Sequence, residues 1–178
     1  MSLLSAVVAR LERERIRHAL IGAAALAVHG VSRSTAAIDL LTVDTRVLGG
    51  EFWAPVAAAG ASFRVLVGDL DDPLAGSVRL SAPGDRTVDL VVGRHAWQGA
   101  IVEAATPASI GELTLPVVRP ADLILLKLHA GGPKDAWDIR ALLEAHEQSV
   151  AIQAAVDGAA AQLPVESRRL WEQVRLRR

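Results

Sequence analysis

The sequence predicts an α/β (α+β) fold: one mixed β-sheet flanked by helices and followed by a C-terminal helical tail. Short apolar runs of strand character alternate with helical patterns before residue 120, and only helical patterns follow it. The 178 residues, 51% of them hydrophobic, are enough to bury one core. Regular crossovers are too few for a doubly wound parallel sheet, so a mixed sheet is expected.

The first helix is predicted because Leu4, Val7, Val8 and Leu11 fall at helical spacing. Apolar runs bounded by turn residues predict the strands, and glycine and proline pairs mark the ends of the later helices. The predicted strands are 19–21, 35–43, 62–67, 77–81, 87–92 and 112–118, and the further helices are 23–29, 51–59, 97–104, 121–130, 134–146, 150–161 and 165 to the end. The four tryptophans, Trp53, Trp97, Trp137 and Trp171, are expected in the core or between helices.

We divide the chain into an α/β core, residues 1–147, and a helical extension, residues 148–178, packed on it. The sequence has no cysteine, which excludes disulfides, thiolate metal sites and a cysteine nucleophile. A net charge of -1 argues against a dedicated nucleic-acid binder. The first 18 residues suit an amphipathic helix better than a secretory signal or a membrane span. We therefore expect a cytoplasmic protein without a membrane partner.

Two aspartates, Asp39 and Asp89, each interrupt an apolar strand. A carboxylate in such surroundings needs a hydrogen bond, a cation or a metal, so Asp39 could cap a loop or pair with a core arginine. If the two strands are neighbours, the two acids lie side by side and would hold a divalent cation or share a proton. Oxygen ligands of this kind favour magnesium or manganese.

Two further segments suggest phosphate binding. The strand that ends at Gly22 leads directly into a helix, so backbone N–H groups there could face an anion, although glycine in such a turn often serves a steric purpose. Lys127 is the one charge well inside an apolar helix, where it either snorkels to solvent or points into a polar cavity. Lys134 and Asp138 open the next helix at an ordinary i,i+4 spacing, and Asp135 has an ordinary capping explanation.

Taken together, these segments resemble the nucleotidyltransferase superfamily, which has the DNA polymerase beta-like fold. The first segment runs from Leu20-Ile21-Gly22 through His29-Gly30 and Arg33-Ser34-Thr35 to Asp39, and the second is DLILLKL…GGPKDAWDI from Asp122. The similarity covers about residues 18 to 146 and is closest to the small bacterial branch of abortive-infection and minimal nucleotidyltransferase toxins. His29 is expected to pack or cap at the end of its helix.

The resemblance implies a mechanism and assigns residues to it. In the family, two magnesium ions bridge three carboxylates to a nucleoside triphosphate, a hydroxyl attacks the α-phosphate, and pyrophosphate leaves. Asp39 and Asp89 would be metal ligands and catalytic residues, and Lys127 would be catalytic through its phosphate contact. The resemblance places five residues at the nucleotide phosphates: Gly22, Ala23, Arg33, Ser34 and Lys134.

One family position differs, because the first acid of the pair is expected at position 37 and this chain has Ala37. One hypothesis is therefore an enzyme that moves a nucleoside monophosphate from a triphosphate to a protein, an RNA end or a small molecule, with its activity in question. The alternative is a catalytically silent protein of the same fold that binds a nucleotide or a partner protein. A homodimer and membership of a toxin–antitoxin pair stay open.

A third hypothesis is RNA association through a basic tail that also contains Trp171. Arginines near a helix C-terminus also complement the helix dipole, which is the simpler explanation. The arginines of this tail are Arg168, Arg169, Arg175, Arg177 and Arg178.

Overall fold

The computed structural model describes residues 2–176. Its seven strands are β1 Ala19–Ile21, β2 Ala37–Thr42, β3 Ser62–Val67, β4 Leu74–Ser81, β5 Thr87–Gly93, β6 Thr106–Ile110 and β7 Leu113–Val117. Its eight α-helices are α1 Leu3–Arg13, α2 Gly22–Val28, α3 Ala54–Ala58, α4 Ala96–Glu103, α5 Pro120–Ala130, α6 Asp135–Ala145, α7 Ser149–Ala159 and α8 Val165–Leu176. Short 3-10 helices cover Thr45–Leu48, Gly50–Trp53 and Ala160–Gln162.

All seven strands form one sheet in the order β3-β4-β5-β2-β1-β7-β6. The pairs β2–β5 and β1–β7 are parallel, and the other four pairs are antiparallel. The mixed sheet with flanking helices confirms the predicted fold class. Strand β6 was not predicted, because Thr106-Pro107-Ala108-Ser109-Ile110 has little strand character of its own and is an edge strand held only by β7.

Two predicted elements have different limits in the structure. The helix expected over 51–59 is a 3-10 helix followed by the five residues of α3, with Pro55 in its first turn. Strand β4 begins at Leu74 rather than 77, because its register against β5 shifts between Leu74 and Gly76 and the chain still pairs there. The other predicted strands and helices are present within one or two residues of their expected ends.

One core contains apolar residues of the strands and of helices on both ends of the chain, and the apolar side of α1 joins it through Leu3, Leu4, Val7, Val8 and Leu11. Trp53 and Trp171 are fully buried, as expected. The expectation was wrong for Trp137, which is 57% exposed. Its neighbour on α6, Asp138, faces the interior, and adjacent positions of a helix point in different directions.

The C-terminal helices α7 and α8 pack on α5 and α6. Within this tail, Trp171 Nε1 donates a hydrogen bond to Asp157, and the Arg175 guanidinium pairs with Asp157 and Glu172. Arg177 and Arg178, the last members of the basic tail, lie outside the described residues. Across residues 2–176, no helix has the length and apolar character that a membrane crossing needs.

Candidate functional site

Asp39 and Asp89 lie directly opposite each other on the parallel strands β2 and β5. Paired residues of neighbouring strands point to the same face of a sheet, so both carboxylates share one surface. The register continues outward, where Asp89 is opposite Arg79 on β4 and Arg79 is opposite Arg64 on β3. We call Arg64, Arg79, Asp89 and Asp39 the charged row, since they form one line across four strands.

Gly22 brings the first turn of α2 against the Asp39 carboxylate. Its φ of +65° lies in the left-handed region that favours glycine. A Cβ at this position would lie 2.1 Å from Asp39 Oδ2. The steric explanation for this glycine therefore applies, because only a residue without a side chain admits the acid so close to the turn. Binding of phosphate by Gly22 and Ala23 stays a prediction.

The Asp39 side chain has no ion-pair or hydrogen-bond partner among residues 2–176. The alternatives in which it caps a loop or pairs with a core arginine therefore do not describe it. Burial and then the negative charge of Asp89 raise the pKa of Asp39 to about 6. Lys127, Arg33 and Arg79 oppose this shift of its pKa from a distance. Asp39 is thus an unpaired, half-buried acid in a site able to bind a cation or a proton.

Asp89, by contrast, already has a cation. Arg79 Nε lies 2.7 Å from Asp89 Oδ1, and Arg79 Nη2 lies 2.8 Å from Oδ2, a bidentate pair. Sequence reasoning missed Arg79. Arg79 alternates with the buried Val78 and Leu80, a pattern that could have placed it on the exposed face of β4. The strand register that sets Arg79 opposite Asp89 cannot be predicted from the sequence.

Lys127 points inward and forms a second charged group, which we call the buried cluster. Its Nζ lies 2.5 Å from Asp138 Oδ2 and 3.0 Å from Asp135 Oδ1. Arg33, from the loop before β2, also pairs with Asp138, which is fully buried. Lys127 therefore does not snorkel to solvent: its ammonium is buried against two carboxylates, and Lys127 is not among the lining residues of the described cavities. Its role as a catalytic phosphate contact stays a prediction.

The i,i+4 interpretation of Lys134 and Asp138 is wrong. Asp138 turns toward Lys127 and Arg33, because α6 packs against α5 on that side. Lys134 stays exposed at the position preceding α6. Asp135 is the first residue of α6 rather than its N-cap, which is Lys134, and its Oδ2 accepts a hydrogen bond of 2.7 Å from the Gly132 N–H in the loop before the helix.

Four of the five residues predicted at phosphates lie in the two segments that lead to the charged row: Gly22 and Ala23 begin α2 beside Asp39, and Arg33 and Ser34 belong to the loop before β2. Three of these, Ala23, Arg33 and Ser34, line one open cavity of about 460 Å³. Lys134 is not among the residues that line it. The structure thus gathers three predicted residues beside α2 and leaves the fifth at the start of α6.

The carboxylates fit one magnesium ion better than two. Magnesium commonly takes one or two protein carboxylates and completes its shell with water and phosphate oxygens. Asp39 and Asp89 supply such a pair, provided that Arg79 releases Asp89. Within residues 2–176 no three His, Cys, Asp or Glu side chains are grouped to hold a metal, and Ala37 offers no ligand. A bridged two-metal centre does not fit these residues.

His29 ends α2 and ties it to the sheet, as expected. Its Nε2 makes a 2.7 Å hydrogen bond with the carbonyl of Val118, just after β7. Burial lowers the pKa of His29, the Val118 hydrogen bond opposes that shift, and the nearby His146 adds to it. This contact fixes the far end of the helix whose first residue touches Asp39.

Solved structures of nucleotidyltransferases share this fold. The antibiotic-resistance factor ANT(2'')-Ia in solution matches with a TM-score of 0.59 and 18% identity over 90% of each chain. The same factor with adenylyl-2''-tobramycin gives 0.57 and 20% identity over 89% of this chain and 97% of that one. The lincosamide antibiotic adenylyltransferase LnuA with lincomycin bound gives 0.50 and 13% identity over 81% and 96%.

No protein-family model and no curated protein sequence matches the chain. At these identities the structural likeness identifies a nucleotidyltransferase-like fold and nothing finer.

Proposed function

We propose that this protein binds a nucleoside triphosphate at the charged row and transfers its nucleoside monophosphate slowly to a hydroxyl acceptor. The observation that carries the proposal is the direct opposition of Asp39 and Asp89, with Asp39 unpaired beside the turn at Gly22. Two adjacent carboxylates, one of them without a paired cation, favour binding of a divalent cation. A nucleoside triphosphate normally binds to proteins as its magnesium complex. The nucleotidyltransferase-like fold agrees with this use of the site.

Asp39 and Asp89 would hold one magnesium or manganese ion. Such an ion would reduce the negative charge of the triphosphate and so assist attack at the α-phosphorus. The backbone N–H groups at Gly22 and Ala23 would face phosphate oxygens, with Ser34 and Lys134 as further donors. Arg33 and Lys127, whose charges the buried cluster balances, would act mainly by keeping the site positive nearby.

The transfer step balances without any further reactant. The acceptor oxygen forms a bond to the α-phosphorus, and the bond from that phosphorus to the bridging oxygen of the β-phosphate breaks. Pyrophosphate leaves with the electron pair of the broken bond. The proton of the acceptor hydroxyl passes to solvent water, which reaches the partly exposed Asp39 and Asp89.

Transfer is expected to be slow because one acid of the family pattern is missing. Ala37 lies on the same face as Asp39, two residues before it on β2, and contributes no oxygen. The second candidate function, nucleotide binding without transfer, is favoured by the ion pair between Arg79 and Asp89, which must open before Asp89 can bind a cation. The two candidates differ only in the chemical step.

For the acceptor, we favour a small molecule over a protein or an RNA end. Two structural neighbours contain adenylyl-2''-tobramycin and lincomycin, which are small hydroxylated compounds. Three further predictions have no support from a structural feature: a role in a toxin–antitoxin pair, membership of the abortive-infection branch, and a homodimer. They stay predictions.

The test compares the natural chain with Ala37→Asp and with Ala36→Asp. Ala36 is exposed and precedes position 37 outside the strand, so its variant adds a charge without adding a ligand on the Asp39 face. Calorimetric titration with Mg-ATP, Mg-GTP, Mg-CTP and Mg-UTP measures binding. Transfer of label from α-labelled nucleotide to a panel of hydroxyl compounds measures chemistry.

We expect micromolar to millimolar binding of at least one nucleotide, slow transfer by the natural chain, and transfer about 100-fold faster in Ala37→Asp only. Binding without transfer in the natural chain, with transfer in Ala37→Asp, would establish the silent candidate. Absence of binding to all four nucleotides in both chains would refute the proposed function.

A further inference from the structure

The cavity of about 460 Å³ runs along the exposed side of α2. Ala24, Ala27 and other apolar residues of that helix line it, together with Arg33 and Arg86. It begins beside the charged row, because α2 starts at Gly22, which contacts Asp39. Asp39 has Asp89 on one side and Ile21 on the other, and Ala23, two residues after Ile21, is the first residue of α2 that lines the cavity.

The lining of this cavity is positive and hydroxyl-rich. Its two charged side chains are both arginines, and no acidic side chain occurs among the described residues that line it. Three hydroxyls also line it: Ser34, Thr35 and Ser109. A ligand that enters the cavity thus meets hydrogen-bond donors and cations beside the apolar residues of α2.

Arg86 is the cation available to a ligand. It is exposed and forms no ion pair within residues 2–176. Its neighbour Asp85 is directed elsewhere, since Asp85 Oδ2 accepts a 3.0 Å hydrogen bond from the Leu3 N–H at the start of α1. Arg33 commits one nitrogen to Asp138 and keeps its remaining N–H donors.

We infer that this cavity is the acceptor pocket and that the acceptor is a hydroxyl compound carrying a phosphate group. Arg86 would bind the phosphate, and Ala24 and Ala27 would contact the body of the molecule. The acceptor hydroxyl would then face the nucleotide phosphate held at Asp39. This inference rests on the proposed function and specifies the class of its second substrate.

The same lining argues against a polyamine acceptor. Tobramycin carries several ammonium groups at neutral pH, and each would need a carboxylate or a water-filled surface to replace its hydration. Two arginines and no carboxylate would instead repel it. The structural likeness to ANT(2'')-Ia therefore does not extend to the expected charge of the acceptor.

The experiment titrates the full chain with ribose 5-phosphate, with ribose as its uncharged counterpart, and with tobramycin. The variant is Arg86→Gln, and the matched control is Arg13→Gln, another exposed arginine that lies on α1 and does not line the cavity. Calorimetric titration of each protein with each compound, with and without Mg-ATP, measures the affinity of the compound and its competition with the nucleotide. Circular dichroism confirms that both variants are folded.

We expect ribose 5-phosphate to bind at least tenfold more tightly than ribose or tobramycin. Arg86→Gln should weaken its binding about tenfold, the effect of losing one charge-assisted contact, and Arg13→Gln should leave it unchanged. Equal affinity of the natural chain and Arg86→Gln, or tighter binding of tobramycin, would overturn the inference.

Mg-ATP separates failure of this inference from failure of the proposed function. Competition between Mg-ATP and ribose 5-phosphate, with both weakened by Arg86→Gln, would assign the cavity to the nucleotide and overturn only the acceptor role. Binding of ribose 5-phosphate without any binding of nucleotide would refute the proposed function and the acceptor role together. Simultaneous binding of both compounds is the expected result.

Discussion

The charged row and the buried cluster contain two aspartates each, but they differ in how many of these carboxylates are paired with a cation. In the cluster, Asp138 contacts both Lys127 and Arg33, and Asp135 contacts Lys127. In the row, Asp89 has Arg79, and Asp39 has no cation among residues 2–176. The cluster is electrically balanced inside the protein, while the row keeps one uncompensated carboxylate at an accessible surface.

The difference indicates which acids serve the fold and which are open to a ligand. A buried carboxylate with two cations stabilises the arrangement of α5, α6 and the loop before β2. An unpaired acid with a raised pKa reduces stability instead, and such acids are typical of binding and catalytic sites. Position alone would not separate them, since Asp39 and Asp138 both lie among apolar residues.

The largest expected effect is in the buried cluster. Asp138→Asn should lower the free energy of unfolding by about 3 to 5 kcal/mol, because it leaves Lys127 and Arg33 without their shared anion. Urea unfolding measures the change. Glu103→Gln, which removes the exposed pair with Arg17, should change stability little. Equal decreases in the free energy of unfolding for the two variants would show that the buried cluster stabilises the protein no more than an exposed ion pair does.

The next effect tests the contact between α2 and the row. Gly22→Ala should lower the free energy of unfolding by about 2 to 4 kcal/mol, from the left-handed φ together with the overlap on Asp39. Gly84→Ala is the matched control, because Gly84 has a φ of +78° and nothing within 4 Å of the added Cβ. We expect only about 1 kcal/mol there. Similar losses at both positions would contradict the close approach of Asp39.

The third prediction has the opposite sign, and it depends on pH. Asp39→Asn should stabilise the protein by about 2 kcal/mol at pH 7, because the folded state raises the pKa of this acid from 3.8 to about 6. The folded chain binds more protons than the unfolded chain between pH 4 and 6, so the cost of the charge disappears as pH falls through that range.

Urea unfolding of Asp39→Asn at several pH values measures this effect, with Asp71→Asn as the control for removing one negative charge from an exposed loop. The stability gain should shrink from pH 7 toward pH 4 and approach zero below it. A stability gain that does not depend on pH, or a loss of stability at pH 7, would contradict an unpaired negative charge on Asp39 in the folded protein.

The smallest effect concerns the cation already in the row. Without nucleotide, Arg79→Gln should tighten manganese binding roughly two- to fivefold. The reason is that Arg79 competes with the metal for Asp89, and an exposed bidentate ion pair contributes only a modest free energy. Electron paramagnetic resonance of free manganese measures the affinity. Arg64→Gln removes the neighbouring arginine, which forms no ion pair within the described residues, and should have less effect. Weaker manganese binding in Arg79→Gln would contradict the competition.

Local pattern was enough to predict most of the fold and the two central acids. Strands β2 and β5 have apolar runs interrupted by single aspartates, and α5 is apolar on nearly every side. These signals depend only on side-chain periodicity along the chain. Strand β6 was missed for the same reason, because its pairing with β7 rather than its own composition makes it a strand.

The charge partners could not be predicted from neighbours in sequence. Lys134 was expected beside Asp138, but Asp138 contacts Lys127, eleven residues away, and Arg33, 105 residues away. Arg79 had no predicted role, although its place opposite Asp89 changes how the acids bind a cation. Trp137 was expected inside, and its position on α6 leaves it at the surface.

By itself, the sequence determined the kinds of elements, the mixed sheet and the presence of an acid on each of two strands, because alternation and helical spacing are local properties. Only the tertiary structure decided that Asp39 would lie unpaired against Gly22 while Asp138 would be neutralised twice. The physical reason is that the energy of a charge depends on strand register and helix packing, which bring together residues from distant parts of the chain.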